Sequence, residues 1–168
     1  HAFFRRQRQM CIRDRSEVSV GYSTLYGDMC GGFSVVKDIY KSDLYRLSEW
    51  RNTNLPSLSK INTLDIIPKN IILKEPTAEL KADQKDSDSL PPYDILDKIL
   101  FLLVEKESSI KEIVSQGYDV GVVTKVQNLL YNSEYKRRQA APGVKISERN
   151  FGYDRRYPIT NAFRDREN

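Results

Sequence analysis

The side chains best equipped for chemistry begin with a cationic triplet. Residues 134–146 read EYKRRQAAPGVKI, and Lys136, Arg137 and Arg138 stand together at the end of a predicted helix. Helix C-terminal carbonyls favour positive charge there. Such a triplet is either a solvated helix end or an anion site for phosphate or carboxylate, and without further context the solvated end is the stronger reading. The stretch 22–32, YSTLYGDMCGG, is a second candidate. Its glycines let backbone approach a ligand, and Tyr22 and Tyr26 offer flat rings. The same string also makes a turn with two buried tyrosines, and the two readings weigh equally. Glu17, just ahead of that loop, offers carboxylate oxygen to a hard cation such as Mg²⁺, although a lone glutamate is more often a surface group. Lys41 opens a predicted helix and Thr77 follows Pro76. Nothing local lifts either above an ordinary surface or turn residue. Cys30 lacks a histidine or second cysteine nearby and reads as a small buried residue.

Other chemistries are excluded for this stretch. The histidine count is one, His1 at the terminus, so no internal imidazole can serve a triad or a His-ligated metal. Two cysteines, Cys11 and Cys30, build neither a disulfide framework nor a four-ligand zinc site. No apolar run approaches the roughly 20 residues of a membrane span. The net charge of +4 is confined to the first fifteen residues, where five arginines face Asp14. The other 153 residues are neutral, which argues against a nucleic-acid-binding surface.

The elements that must position these residues read as mostly helical. The chain is one ordinary domain or a piece of a larger one, with enough apolar material for a core. Residues 16–32 begin as a short helix and end as a loop. Residues 33–40 suit a short strand or extended link. Residues 41–51 suit a helix capped by Ser42 or Asp43, with Leu44, Leu47 and Trp50 on one face. A loop over 52–70 contains one short helical turn, and 74–92 is a long polar connector. Residues 93–105 form the clearest helix, with Ile95, Ile99, Leu102 and Leu103 inward. A second follows, with Ser109 and Glu112 as a capping box, Ile110 and Ile113 inward, and Gly117 as its stop. A third opens at Asp119 and turns Val122, Val123, Val126, Leu129 and Leu130 to the core. Residues 134–168 read as a tail laid over something else.

Residues 1–15, HAFFRRQRQMCIRDR, lack helix periodicity and the apolar h-region of a signal peptide. The segment QMCIRDR resembles translated sequencing-adapter text, so 1–15 is set apart as non-native, with a native basic arm as the weaker alternative, and 16–168 is taken as the credible protein.

In order, the phrases YSTLYGDMCGGF, KDIYKSDLYRLSEWRN, PTAELKADQKDSDSLPPYDILD, NSEYKRRQAAPGVKI and RRYPITNAFRD resemble the C-terminal part of the synthetase domain of glutamine-dependent NAD synthetases. The resemblance covers roughly 16–165. It implies an α/β fold: the late, mostly helical part of an adenine-nucleotide α-hydrolase-like (ATP pyrophosphatase) domain. It implies a cytoplasmic carbon–nitrogen ligase that uses ATP and Mg²⁺ to adenylate deamido-NAD. Ammonia, supplied by a separate N-terminal glutaminase domain, then displaces AMP. By resemblance, Glu17 falls at the metal and deamido-NAD position. Tyr22, Ser23, Thr24, Leu25, Tyr135 and Lys136 fall at deamido-NAD positions, and Lys41 and Thr77 at ATP positions.

The family's Ser-Gly-Gly-x-Asp-Ser pyrophosphatase loop, whose Asp holds Mg²⁺, is absent from the 168 residues, as is the glutaminase domain. The resemblance therefore places no catalytic residue in this stretch and implies that the stretch by itself is inactive. The complete protein is expected to be a homo-oligomer, with no nucleic-acid or membrane partner. Two alternatives stand beside this reading: another ATP-pyrophosphatase-type enzyme, and a basic nucleic-acid or anion-binding module built on 134–168.

Overall fold

The computed structural model of the chain describes residues 13–25, 29, 31–74 and 89–165. Among them seven helices form: α1 (Arg15–Val20), α2 (Lys41–Thr53), α3 (Lys69–Leu73), α4 (Tyr93–Val104), α5 (Ile110–Ser115), α6 (Val120–Asn132) and α7 (Glu134–Gln139). Extended structure among the described residues is limited to isolated bridge residues, among them Ser34 with Gly143 and Phe151 with Arg155. This mostly helical architecture is the late part expected of an α/β nucleotide-hydrolase-like domain. No helix among the described residues is long and apolar enough to cross a membrane.

The core is a helical layer. Leu96, Ile99, Leu100, Leu103 and Val104 of α4 meet Ile110 and Ile113 of α5, and Val123, Val126 and Leu130 of α6. Ile95, Leu102, Val122 and Leu129, expected inward, are only partly buried at its margin. Local sequence explains the helix starts. Ser109 and Glu112 form the reciprocal capping box that opens α5. The Asp119 carboxylate accepts from the Val122 amide and opens α6.

Helix α2 departs from expectation. Neither Ser42 nor Asp43 caps it from within; its N-cap position is Tyr40, which makes no side-chain cap. Leu47 and Trp50 do not face a core: they are 45% and 47% exposed. A run of exposed apolar side chains continues through Leu55, Leu58, Ile61, Leu64 and Leu73. The 3.6-residue spacing was present, but the described fold supplies no surface for it to pack against. Residues 33–40 form no strand beyond isolated bridges at Phe33 and Ser34. The connector at 75–88 lies outside the described residues.

The tail is laid over the 33–39 link. The Ser34 amide donates to the Pro142 carbonyl at 2.8 Å. The Lys37 ammonium donates to the Ala141 carbonyl at 2.9 Å. Asp38 accepts from the Ile146 and Ser147 amides, each at 2.7 Å. Burial pushes the Asp38 carboxyl up, but these amides, the Ser147 hydroxyl and Arg15 outweigh it and hold the group below the usual carboxylate range.

The junction between the set-apart segment and the credible protein falls inside an element. Asp14 caps α1 through the Glu17 amide at 2.9 Å. Arg15 is fully buried. Its guanidinium pairs with Asp38 at 2.8 Å and with Glu105, and donates to the Arg149 carbonyl at 2.9 Å. It also lies over the Tyr40 and Phe151 rings at 4.8 and 5.4 Å. Arg15→Ala would leave two buried carboxylates, Asp38 and Glu105, without the cation that pairs them. It should lower the unfolding free energy by about 3–5 kcal/mol, read from the midpoint of a urea titration.

Candidate functional site

Helix α1 carries the first expected site residue. All six of its residues are buried although only Val18 and Val20 are apolar. It ends at Gly21, which adopts φ +74. A Cβ there would stand 2.3 Å from the Ser133 Oγ, so the position requires glycine both for its conformation and for the close approach. The chain then turns into 22–25, all half-buried, with Tyr22 packed against the core.

Glu17 and Lys41, separated by 24 residues, meet in space. The Lys41 ammonium lies 2.6 Å from Glu17 Oε1 and 2.8 Å from Asp14 Oδ2, and 5.4 Å from the centre of the Tyr93 ring. Burial would lower the Lys41 pKa, but the two carboxylates outweigh it and raise it above its ordinary value. Burial and the neighbouring Glu17 charge also push the Asp14 carboxyl up, to about 7, against the pull of Lys41. The Glu17 Oε2 lies 3.4 Å from the Arg13 guanidinium. Two carboxylates and one ammonium are thus gathered within one turn of α1.

Helix α7 holds the loop that follows. The Lys136 ammonium donates to the Gly21 and Ser23 carbonyls at 2.6 and 3.0 Å. Burial lowers its pKa. Arg137 donates to the Ser19 carbonyl at 2.7 Å and the Leu130 carbonyl at 2.5 Å, which closes the C-terminal ends of α1 and α6. Buried Glu134 pairs with Arg137 at 3.0 Å and with Arg138 at 2.8 Å. Phe151 and Tyr157 from the tail stack on Arg137 at 4.8 and 5.5 Å. The triplet therefore splits: Arg137 is structural, Lys136 sits on the loop, and Arg138 is partly exposed.

The structure brings together two groups of expected residues, Glu17 with Lys41, and Lys136 with the 22–25 loop. Tyr135 is exposed on α7 beside Lys136. Thr77, Tyr26 and Cys30 lie outside the described residues. Sequence reasoning passed over Asp14, Ser16 and Asp97. The available signal was a carboxylate inside the inward face of α4.

The arrangement is a cation and a carboxylate held side by side, beside a backbone loop clamped by a second cation. It can pair with phosphate and hold a hard cation at its rim. Among the described residues no cluster of three or more His, Cys, Asp or Glu is placed to hold a metal without help.

Comparison with known proteins places this geometry in context. The family model described as NAD synthase matches residues 9–140, opening ahead of Ser16. Glutamine-dependent NAD(+) synthetase of Xylella fastidiosa strain 9a5c is 52% identical over 151 residues, 90% of this chain and 26% of that protein. The Thermotoga maritima relative of the same description is 49% identical over 152 residues, 90% of this chain and 25% of its own length. A crystal structure of a glutamine-dependent NAD(+) synthetase from Cytophaga hutchinsonii superposes with a TM-score of 0.66 at 21% identity, covering 91% of this chain and 24% of that one. It bears on fold alone. The chain spans about a quarter of the length of the curated relatives it matches.

The raised Asp14 pKa gives a pH signature. An unfolded Asp14 ionises near 3.8 and the folded one near 7, so the folded state keeps a proton that the unfolded chain releases. The stability this group contributes is present below pH 3.8 and is lost as pH rises toward 7. Asp14→Asn should remove this loss. The unfolding free energy of the variant relative to the parent should rise by more than about 1 kcal/mol between pH 4 and pH 7, measured by denaturant unfolding at both pH values.

Proposed function

The chain belongs to the NAD synthase family, and from that premise we propose that residues 16–168 form the substrate-holding C-terminal part of a domain that makes NAD from deamido-NAD, ATP and glutamine-derived ammonia. The observation that carries this reading is the meeting of Glu17 with Lys41 at 2.6 Å. One is the residue assigned to deamido-NAD and the other the residue assigned to ATP.

The chemistry needs those substrates in contact. A nicotinate carboxylate oxygen attacks the α-phosphorus of ATP and pyrophosphate leaves. The nitrogen lone pair of ammonia then adds to the acyl carbon, a proton is lost, and AMP departs with the bonding electrons. Both steps crowd anionic groups, so fixed cations lower the barrier. In this reading Lys41 faces the phosphates, half-buried and already protonated. Lys136 has a third ammonium proton beyond the two it gives to loop carbonyls among the described residues, and with Tyr22, Ser23, Thr24, Leu25 and Tyr135 it lines the deamido-NAD side. Thr77 completes the ATP side.

Mg²⁺ commonly takes one or two carboxylates and fills its remaining positions with phosphate oxygens and water. Glu17 would offer such an ion one carboxylate in exchange for part of its pairing with Lys41 and Arg13, and there the ion would offset phosphate charge. The pyrophosphate cradle and the glutaminase chemistry belong to sequence outside these 168 residues, so the stretch alone should form no NAD. In the complete protein the domain is expected to act in the cytoplasm, as a homo-oligomer.

A hybrid tests the reading. In it, residues 16–165 of this chain replace the matching quarter of the Xylella fastidiosa synthetase. The hybrid should make NAD from deamido-NAD, ATP and ammonium. In it, Lys136→Ala should raise the KM for deamido-NAD about tenfold while moving that for ATP far less. A folded hybrid that forms no NAD, or unchanged constants in the variant, would contradict the assignment.

A further inference from the structure

We propose that Asp97 is the positioning residue that sets Glu17 against Lys41, and so sets the two substrates against each other; this rests on the assignment of those two residues given above. Asp97 stands on α4, otherwise the most apolar helix of the core, flanked by buried Leu96, Ile99 and Leu100. It is itself only 5% exposed. A buried carboxylate in such a face is costly unless its oxygens are occupied.

Both oxygens are occupied, and by different elements. Oδ2 accepts from the Ser42 amide at 2.9 Å and the Ser42 hydroxyl at 2.7 Å. Asp97 thereby caps α2 from outside, where Tyr40 provides no cap of its own. Oδ1 accepts from the Ser16 hydroxyl. The Ser16 oxygen in turn accepts from the Lys41 amide at 2.9 Å. The hydrogen bonds close a ring through Asp97, Ser16, Lys41 and Ser42. Glu17 directly follows Ser16, and Lys41 directly precedes Ser42. One carboxylate therefore fixes the backbone beneath both members of the pair.

Asp97 borders a cavity of about 620 Å³, shared with Tyr40, Arg46 and Phe101. Burial pushes its carboxyl up, while the hydrogen bonds from Ser16 and Ser42 pull it down. No substrate contact is assigned to Asp97; its action runs through Ser16 and Ser42. Asparagine keeps one acceptor oxygen and can still cap α2, but it presents an NH₂ to Ser16 in place of the second oxygen. Alanine removes both links.

The test reads lysine reactivity and turnover together. In the 168-residue chain, acylation of each lysine by acetic anhydride is followed by mass spectrometry. Asp97→Ala should speed Lys41 acylation about tenfold, with Lys37 and Lys136 unchanged and Asp97→Asn in between. In the hybrid synthetase, Asp97→Ala should lower kcat at least about tenfold with KM values within about threefold, and Asp97→Asn should recover part of the loss. Unchanged Lys41 reactivity overturns the proposal. So does a uniform rise at all three lysines in both variants, which would make Asp97 a residue of the general fold. Released Lys41 with unaltered kcat overturns it too. If the parent hybrid makes no NAD, the functional assignment fails, while the labelling still decides whether Asp97 positions Lys41.

Discussion

The rest of the structure depends on the burial of a polar helix. All six residues of α1 are withdrawn from water, and Arg15, Ser16, Glu17 and Ser19 carry polar or charged side chains into the interior. Each such group is costly to bury without a partner. The partners come from scattered parts of the chain: Asp38 and Glu105 for Arg15, Asp97 for Ser16, Lys41 for Glu17. Ser19 satisfies itself on the Arg15 carbonyl at 2.7 Å. Hydrophobic contact among α4, α5 and α6 supplies the larger apolar core, but it is non-directional. The demand for satisfied hydrogen bonds around α1 is directional, and it fixes where α2, the 33–39 link and the tail stand.

The same constraint gathers the residues proposed as the site. At one end of α1, Glu17 meets Lys41; at the other, Arg137 and Lys136 close the helix carbonyls and hold the loop that follows. Arg137 is kept in place by Glu134 and by the rings of Phe151 and Tyr157. The tail, unable to form a core by itself, thus reaches the loop through one guanidinium. Arg suits that task because its donors fan out in a plane toward several carbonyls while its faces stack on aromatic rings.

Much of the helical framework was legible in the sequence. Ser109 with Glu112, and Asp119 ahead of Val122, are local signals that need no tertiary context, and both formed. Helix α2 shows where local reading stops. Its spacing implied a buried face, yet Leu47 and Trp50 are exposed, and its cap comes from Asp97, 55 residues away. The junction set after Arg15 followed composition; the residue's burial between two carboxylates depends on contacts 23 and 90 residues distant. Glu17 and Lys41 each looked ordinary in isolation. Only the resemblance singled them out, and only the three-dimensional arrangement joined them. Asp97 escaped notice because a single acid within an apolar stripe gives no clue to its partners.

The Glu17–Lys41 pair is assembled before any substrate arrives. The most direct measurement is an NMR titration of the Lys41 ammonium in the ligand-free chain, followed through its ¹⁵N shift. Titration is expected above the ordinary lysine value of 10.5, with part of that elevation lost in Glu17→Gln and the rest kept by Asp14. A Lys41 that titrates at or below 10.5, indifferent to Glu17, would mean the pair is not preformed.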